Sequence, residues 1–290
     1  MSRLTRFLRR HGYQRAAPPS SAIGRHLLAP PLAIEVDVGQ PALSSLFDRV
    51  ASTWTELGAT EPHWSVLTHD IYRKEDIGRT RGQFFETADW DVGVIEACFG
   101  RPGLALPSGG ACLELGCGVG RVTSRLATMF QRVVAVDISQ PHLALAAERM
   151  RTVGLANVDL VRLTRVEDLC DLPRYDFLYS RIVLQHNPPP VMAYILRAVL
   201  DRLSPGGFCL FQLPTYCDGY RFVLADYLSE PRGGMEMHVL PQPVVFAILR
   251  EAGIDLIEAV EDQSTESGIF QSMTFFGRKG AEAATTGPAP

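Results

Sequence analysis

Cys112-Leu113-Glu114-Leu115-Gly116-Cys117-Gly118-Val119-Gly120-Arg121 decides the fold. Three apolar residues around one acid run into three glycines at alternate positions, and a helical stretch at about 120–129 follows. Glycines at 116, 118 and 120 let the backbone turn tightly and let a ligand touch the main chain. The free N–H groups of the helix start suit a carboxylate or a phosphate. A second strand, about 132–137, closes on Asp137, and an acid there is placed to accept both ribose hydroxyls of a nucleoside. A dinucleotide fingerprint needs G-x-G-x-x-G, whereas this loop reads G-x-G-x-G with Arg121 in the third dinucleotide position. Glu114, two residues before the first glycine, would repel a pyrophosphate but could orient a cationic amino-acid end.

Outward from that loop, apolar runs alternate with helical stretches. Strands are predicted at about 111–115, 132–137, 158–163, 175–180, 207–213, 255–260 and 272–278. Helices are predicted at about 120–129, 140–153, 190–203 and 241–252, with Gly253 suited to end the last one. Val133-Val134-Ala135-Val136 lacks polar alternation, which points to burial on both faces of a parallel sheet. The segment 108–280 is thus a doubly wound α/β domain of ordinary size.

Before it, Leu43, Leu46, Phe47, Val50, Trp54 and Leu57 mark one face of a helix, and a second helical stretch covers about 80–99. Residues 42–107 therefore read as a helical cap. Residues 1–41 read as a basic, Pro-containing flexible segment, and 281–290 as a disordered tail.

Four motifs together resemble the class I (Rossmann-like) S-adenosylmethionine-dependent methyltransferase family. Leu113–Gly120 resembles its first motif and Val136-Asp137-Ile138-Ser139 its second. Tyr175-Asp176-Phe177-Leu178-Tyr179-Ser180 resembles the fourth-strand motif, and Leu203-Ser204-Pro205-Gly206-Gly207 the turn before the fifth strand. The resemblance covers about 108–280. It implies a seven-stranded, mostly parallel sheet with a reversed last strand, and S-adenosyl-L-methionine as cofactor.

Carried over residue by residue, the resemblance puts Glu114, Gly116, Cys117 and Gly118 at the methionine end of the cofactor, with Gly120 supporting the loop. Asp137 would bind the ribose, Ile138 would pack on the adenine, and Ser180 of the fourth-strand motif would also bind the cofactor. The third motif of the family usually reads Gly-Asp-Ala-Glu-Asp-Leu. Here Thr164-Arg165-Val166-Glu167-Asp168-Leu169 stands in its place. Val166 would offer its backbone N–H to the adenine, while Arg165 replaces the acid that usually meets the exocyclic amine. Phe85 stands where relatives carry an aromatic that closes over the cofactor.

Methyl transfer from a sulfonium is an in-line displacement in which the protein aligns donor and acceptor. A hydroxyl acceptor usually needs a base. Asn187-Pro188-Pro189 invites comparison with the Asn-Pro-Pro-Tyr motif of amino-methylating enzymes. That motif sits at the strand end, where this chain has Ser180-Arg181, and its aromatic is Pro190 here. His186, in the same loop, is a candidate base or a structural hydrogen-bonding group. The insert 214–240 is longer than a simple crossover. In it, Glu236 and His238 fall on one side of an extended chain, either as a base pair or as part of a mixed surface strand.

Composition bounds the function. The net charge of −4 sets six arginines within residues 1–34 against −10 in the remainder. An acidic catalytic body works against nucleic-acid backbones, and the missing amino-methylation motif with the His and Glu candidates favours a hydroxyl of a small molecule or saccharide as acceptor. The basic N-terminus, with Leu4, Phe7 and Leu8 on one helical face, is either a solvated tail or a site of weak contact with an anionic membrane surface or partner. No run of 18 apolar residues exists, so no transmembrane helix is expected. Six cysteines without a C-x-x-C pair suggest no metal site and a reducing, cytoplasmic setting. Two other functions remain open at this level: a non-catalytic S-adenosylmethionine-binding partner subunit, and a nicotinamide-dependent oxidoreductase.

Overall fold

The computed structural model describes residues 32–281 except 232, 263 and 266–268. The basic segment 1–31 and the tail 282–290 lie outside the described residues.

A seven-stranded sheet is built from β2 (Ala111–Leu115), β3 (Arg132–Asp137), β4 (Val158–Arg162), β5 (Tyr175–Ser180), β6 (Leu203–Cys217), β8 (Ile254–Asp262) and β9 (Phe270–Lys279). Their order is β4-β3-β2-β5-β6-β9-β8. All neighbours are parallel except β6–β9 and β9–β8. A minor two-stranded sheet pairs β1 (Ala33–Ile34) with β7 (Arg221–Phe222) in parallel. It falls in the expected linker and in the expected insert. Two residues per strand are too short to show a period in the sequence.

Alternate residues of the central strands feed two cores. Leu113, Leu115, Val134, Val136 and Leu178 face a cluster shared with α1 (Gln40–Thr60), α6 (Pro189–Arg202) and α8 (Gln242–Glu251). Cys112, Val133, Ala135, Phe177 and Tyr179 face the other, shared with α3 (Ala88–Gly100), α4 (Thr123–Met129) and Leu143 of α5 (Gln140–Thr152). Burial on both faces is why these strands show apolar runs rather than alternation.

The expected helix at 42–57 is α1, whose Leu43, Leu46, Phe47 and Val50 are buried. The single stretch expected at 80–99 is two helices. α2 (Ile77–Glu86) and α3 meet at Thr87, whose hydroxyl donates to Phe84 C=O at 2.6 Å. Each buries a different face, Phe84 and Phe85 of α2 in a third cluster with Tyr72 and Val119, and Ile95, Cys98 and Phe99 of α3 against the sheet. A short α7 (Leu224–Ser229) occupies the insert.

Candidate functional site

The strand order reverses between β2 and β5, and a cleft opens at the carboxyl ends of β2, β3 and β5. It encloses about 1070 Å³ of space, part of it continuous with solvent. Gly116, Cys117, Gly118, Asp137 and Ile138 line it from the core, and Phe47, Val50 and Trp54 line it from α1.

Gly116 has φ 77° and Gly118 φ 54°, the left-handed region that glycine enters without strain. A Cβ on Gly116 would lie 2.4 Å from Val183 Cγ2, and one on Gly118 2.9 Å from Val66 Cγ2. Gly116 N–H and Cys117 N–H both donate to Val136 C=O, at 2.8 and 3.0 Å. Gly118 N–H donates to Asp137 Oδ2 and Ser139 N–H to Asp137 Oδ1, both at 2.8 Å. The loop is therefore closed by the acid of β3. The regular helix begins at Thr123 rather than 120 and has seven residues.

Glu114 is 3% exposed, and Thr123 Oγ1 donates to its carboxyl at 2.5 Å. Burial pushes its pKa up to about 8, against the lowering effect of Thr123 and Arg121. Beside it, Asp91 accepts from Arg121 Nη1 at 2.6 Å, Arg181 Nη1 at 3.2 Å and Tyr179 OH at 2.6 Å. All four residues line the cleft, and two guanidinium groups share one carboxylate. Arg181 also lies 3.8 Å over the ring of Trp90, which is 56% exposed. The sequence reading missed Asp91. Its signal was a carboxylate at a core-facing position of α3, at i, i+4, i+7 with Ile95 and Cys98.

Residues 112–207 match the family model described as a methyltransferase domain. With the strand order of the sheet, that match makes residues 112–207 a methyltransferase domain of the class I fold. A probable cobalt-precorrin-6B C(15)-methyltransferase (decarboxylating) of Methanothermobacter thermautotrophicus is 30% identical over 40% of this chain and 57% of its own length. A ubiquinone biosynthesis O-methyltransferase of Acinetobacter baylyi is 27% identical over 51% of this chain and 65% of its own. The chain thus spans less than two thirds of these curated relatives. The crystal structure of magnesium protoporphyrin IX methyltransferase from Synechocystis PCC 6803 with bound SAH shares the fold. It superposes with a TM-score of 0.56 at 17% identity, covering 81% of this chain and 99% of that one.

Of the residues the family resemblance singles out, Glu114, Gly116, Cys117, Gly118, Asp137 and Ile138 line the cleft, as does His186. Four do not. Gly120 packs on Ala146 and Met150. Val166 is buried in the core. Ser180 donates to Leu115 C=O at 3.3 Å, tying β5 to β2. Phe85 sits in the third cluster under the guanidinium of Arg149 at 4.0 Å, and Trp54 and Phe47 are the cap aromatics that reach the cleft instead. Asp168 also stays outside the lining. Burial alone would raise its pKa, but hydrogen bonds from Thr164 and Arg165 outweigh this and hold it at about 2.

His186 is buried, its ring 4.9 Å from that of Trp54. Its Nδ1 lies 2.8 Å from Glu236 C=O. A carbonyl only accepts, so Nδ1 carries the proton, and the Nε2 lone pair accepts a long hydrogen bond from Gln185 Nε2 at 3.5 Å. Burial lowers the ring's pKa to about 4, despite the opposing effect of that carbonyl. Glu236 and His238 do meet, at 3.3 Å, but behind His186 rather than in the cleft. The Glu236 carboxylate is engaged by Tyr227 OH, Gly233 N–H and His238 Nε2, with Arg49 at 3.6 Å. Burial would raise its pKa, but these hydrogen bonds prevail and hold it at about 2. His238 Nδ1 is 2.8 Å from Tyr220 OH. A carboxylate so satisfied is a poor base.

No helix among the described residues is long and apolar enough to cross a membrane.

Proposed function

We propose that the protein transfers a methyl group from S-adenosyl-L-methionine to a hydroxyl of a small molecule or saccharide. The observation that carries the reading is the glycine cradle at 116–118, closed on Asp137 at the switch point of the sheet in a family of methyl transferases. A side chain at either glycine would collide with Val183 or Val66, which wall the cleft.

When bound, the cofactor supplies an electrophilic methyl group on a sulfonium. Glu114, Gly116, Cys117 and Gly118 hold the amino-acid end, and Asp137 takes the ribose hydroxyls with the lone pairs left by Gly118 and Ser139. Ile138 with Phe47 and Leu163 packs on the adenine. The positive charge left by Arg121 and Arg181 around Asp91 suits a carboxylate in the same cleft. Gly120, Val166, Ser180 and Phe85 support this set from behind.

His186 Nε2 is the proton acceptor. A ring with pKa about 4 is neutral at pH 7, and an oxygen that gains a methyl group becomes a strong acid whose proton such a base can take. Glu236 and His238 act through His186, the first by fixing its tautomer. Relatives named as O-methyltransferases support oxygen as the methylated atom. Six free cysteines support a reducing, cytoplasmic setting.

The test is incubation with methyl-labelled S-adenosylmethionine and an extract of the source cell, followed by mass analysis. A labelled methyl ether that His186→Ala reduces by about 100-fold or more is the expected result. Cofactor binding without any labelled product would favour the partner-subunit reading.

A further inference from the structure

Ile182 has φ 58°, and among the described residues it is the one non-glycine residue with positive φ. A β-branched residue persists there only where its surroundings over-determine the conformation. Ile182 follows β5 by two residues and opens the segment 181–187, most of which walls the cleft.

The restraint comes from β6. Ile182 N–H donates to Gln212 Oε1 at 2.8 Å. Gln212 is 1% exposed, and its amide nitrogen donates to Ser272 Oγ of β9 at 2.7 Å and to Gln185 Oε1 at 3.2 Å. One buried side chain thus ties the strained turn to two strands and to the residue before His186. Beyond the turn, Val183 lies on the glycine loop, where a Cβ on Gly116 would meet it at 2.4 Å.

We propose that Gln212 is a positioning residue: its amide holds Ile182 in the left-handed conformation and so presses Val183 onto Gly116 and sets His186 at the cleft. Without that acceptor the Ile182 N–H loses its partner and the turn relaxes toward the ordinary regions of backbone space. The proposal rests on the reading of the cleft as the cofactor site.

A double-variant cycle tests it, with S-adenosylhomocysteine affinity by calorimetry and the thermal midpoint as separate readouts. Gln212→Met keeps the volume and removes the amide, and is expected to weaken affinity about tenfold and to lower the midpoint. Ile182→Gly takes the same φ without strain and is the reference for the combined variant. The combined variant is expected to regain affinity to within about threefold of Ile182→Gly while its midpoint stays low, because Ser272 and Gln185 still lack their partner. A purely structural Gln212 would leave the affinity loss unrescued, and that result overturns the proposal, as does Gln212→Met binding like wild type. If Gln212→Met does not fold, Gln212→Glu keeps an acceptor for Ile182 N–H, and an affinity loss above about tenfold in that folded variant overturns it. If the wild-type protein binds no S-adenosylhomocysteine, the cofactor reading fails separately. The backbone of a Gln212→Met crystal structure then decides: Ile182 still near φ 58° overturns the proposal.

Discussion

Asp137 performs two tasks with one carboxylate. It anchors the Gly118 and Ser139 amides, and in the proposed cofactor site its remaining lone pairs would accept from a ribose. Asp137→Ala should weaken S-adenosylhomocysteine binding by about 1–3 kcal/mol, the scale of a lost hydrogen bond to a charged group. Asp137→Asn should do no better than Ala, because an amide nitrogen in place of either oxygen faces an N–H donor. Asparagine binding like wild type in a titration would contradict that assignment. Glu114 adds a proton signature. Its carboxyl, at about 8, is mostly protonated at pH 7, and a bound ammonium favours the carboxylate. Binding near pH 7 should release up to one proton from it, and affinity should rise with pH up to about 8. Calorimetry in buffers of different ionisation enthalpy measures that proton, and Glu114→Gln should abolish it.

Helix α1 shows how close the cap sits to the core. Gly58 is a buried glycine inside a helix, where alanine would ordinarily stabilise by about 0.5–1 kcal/mol. Here a Cβ would come within 2.5 Å of Ser139 Oγ and 2.7 Å of His142 Nδ1. Both side chains are buried at the head of α5. Gly58→Ala should therefore destabilise by roughly 1–3 kcal/mol in denaturant unfolding, and a gain in stability would contradict the packing. The strands of the central sheet were legible because apolar runs end in residues with a fixed backbone task. β2, β3 and β5 run over the residues expected from the sequence. The break at Thr87 was hidden because no proline or glycine separates α2 from α3. β6 runs on to Cys217 because β9 pairs with it through a bulge at Pro214–Tyr216, a tertiary event without a local period. The cradle of the site was legible for the same reason as the strands, since glycine and an acid at a strand end leave a residue-type signal. The cluster of Asp91, Arg121 and Arg181 was not, because α3, the glycine loop and the end of β5 meet only in the fold. Glu236 and His238 were paired correctly by spacing, but spacing says nothing about which side of His186 the pair occupies.

Across the whole molecule, buried titratable groups oppose one another, and the signs set a pH optimum. His63 and His186 have pKa values of about 4 in the fold, lowered first by burial, against 6.5 when unfolded. The unfolded chain takes up those protons first, so their contribution is complete above about 6.5 and is lost as pH falls toward 4. Glu236, at about 2 against 4.5, loses its contribution below 4.5. Glu114 runs the other way. At about 8 against 4.5, its contribution is present below 4.5 and is lost as pH rises to 8. Between 4.5 and 6.5 the two histidines outweigh the one carboxyl, and above 6.5 Glu114 acts alone among these groups. Thermal stability should peak near pH 6.5 and fall by roughly 5 °C or more toward pH 5. Glu114→Gln should flatten the decline above 6.5. A midpoint that rises steadily from pH 6.5 to 8 would be inconsistent with a neutral Glu114.

The cofactor assignment underlies the roles given to the cleft, and titration calorimetry of the purified protein with S-adenosylhomocysteine and, separately, with NAD tests it most directly. We expect S-adenosylhomocysteine to bind at one site per chain with Kd of about 1–100 μM, and NAD to give no saturable heat. Saturable NAD binding with no response to S-adenosylhomocysteine would contradict it.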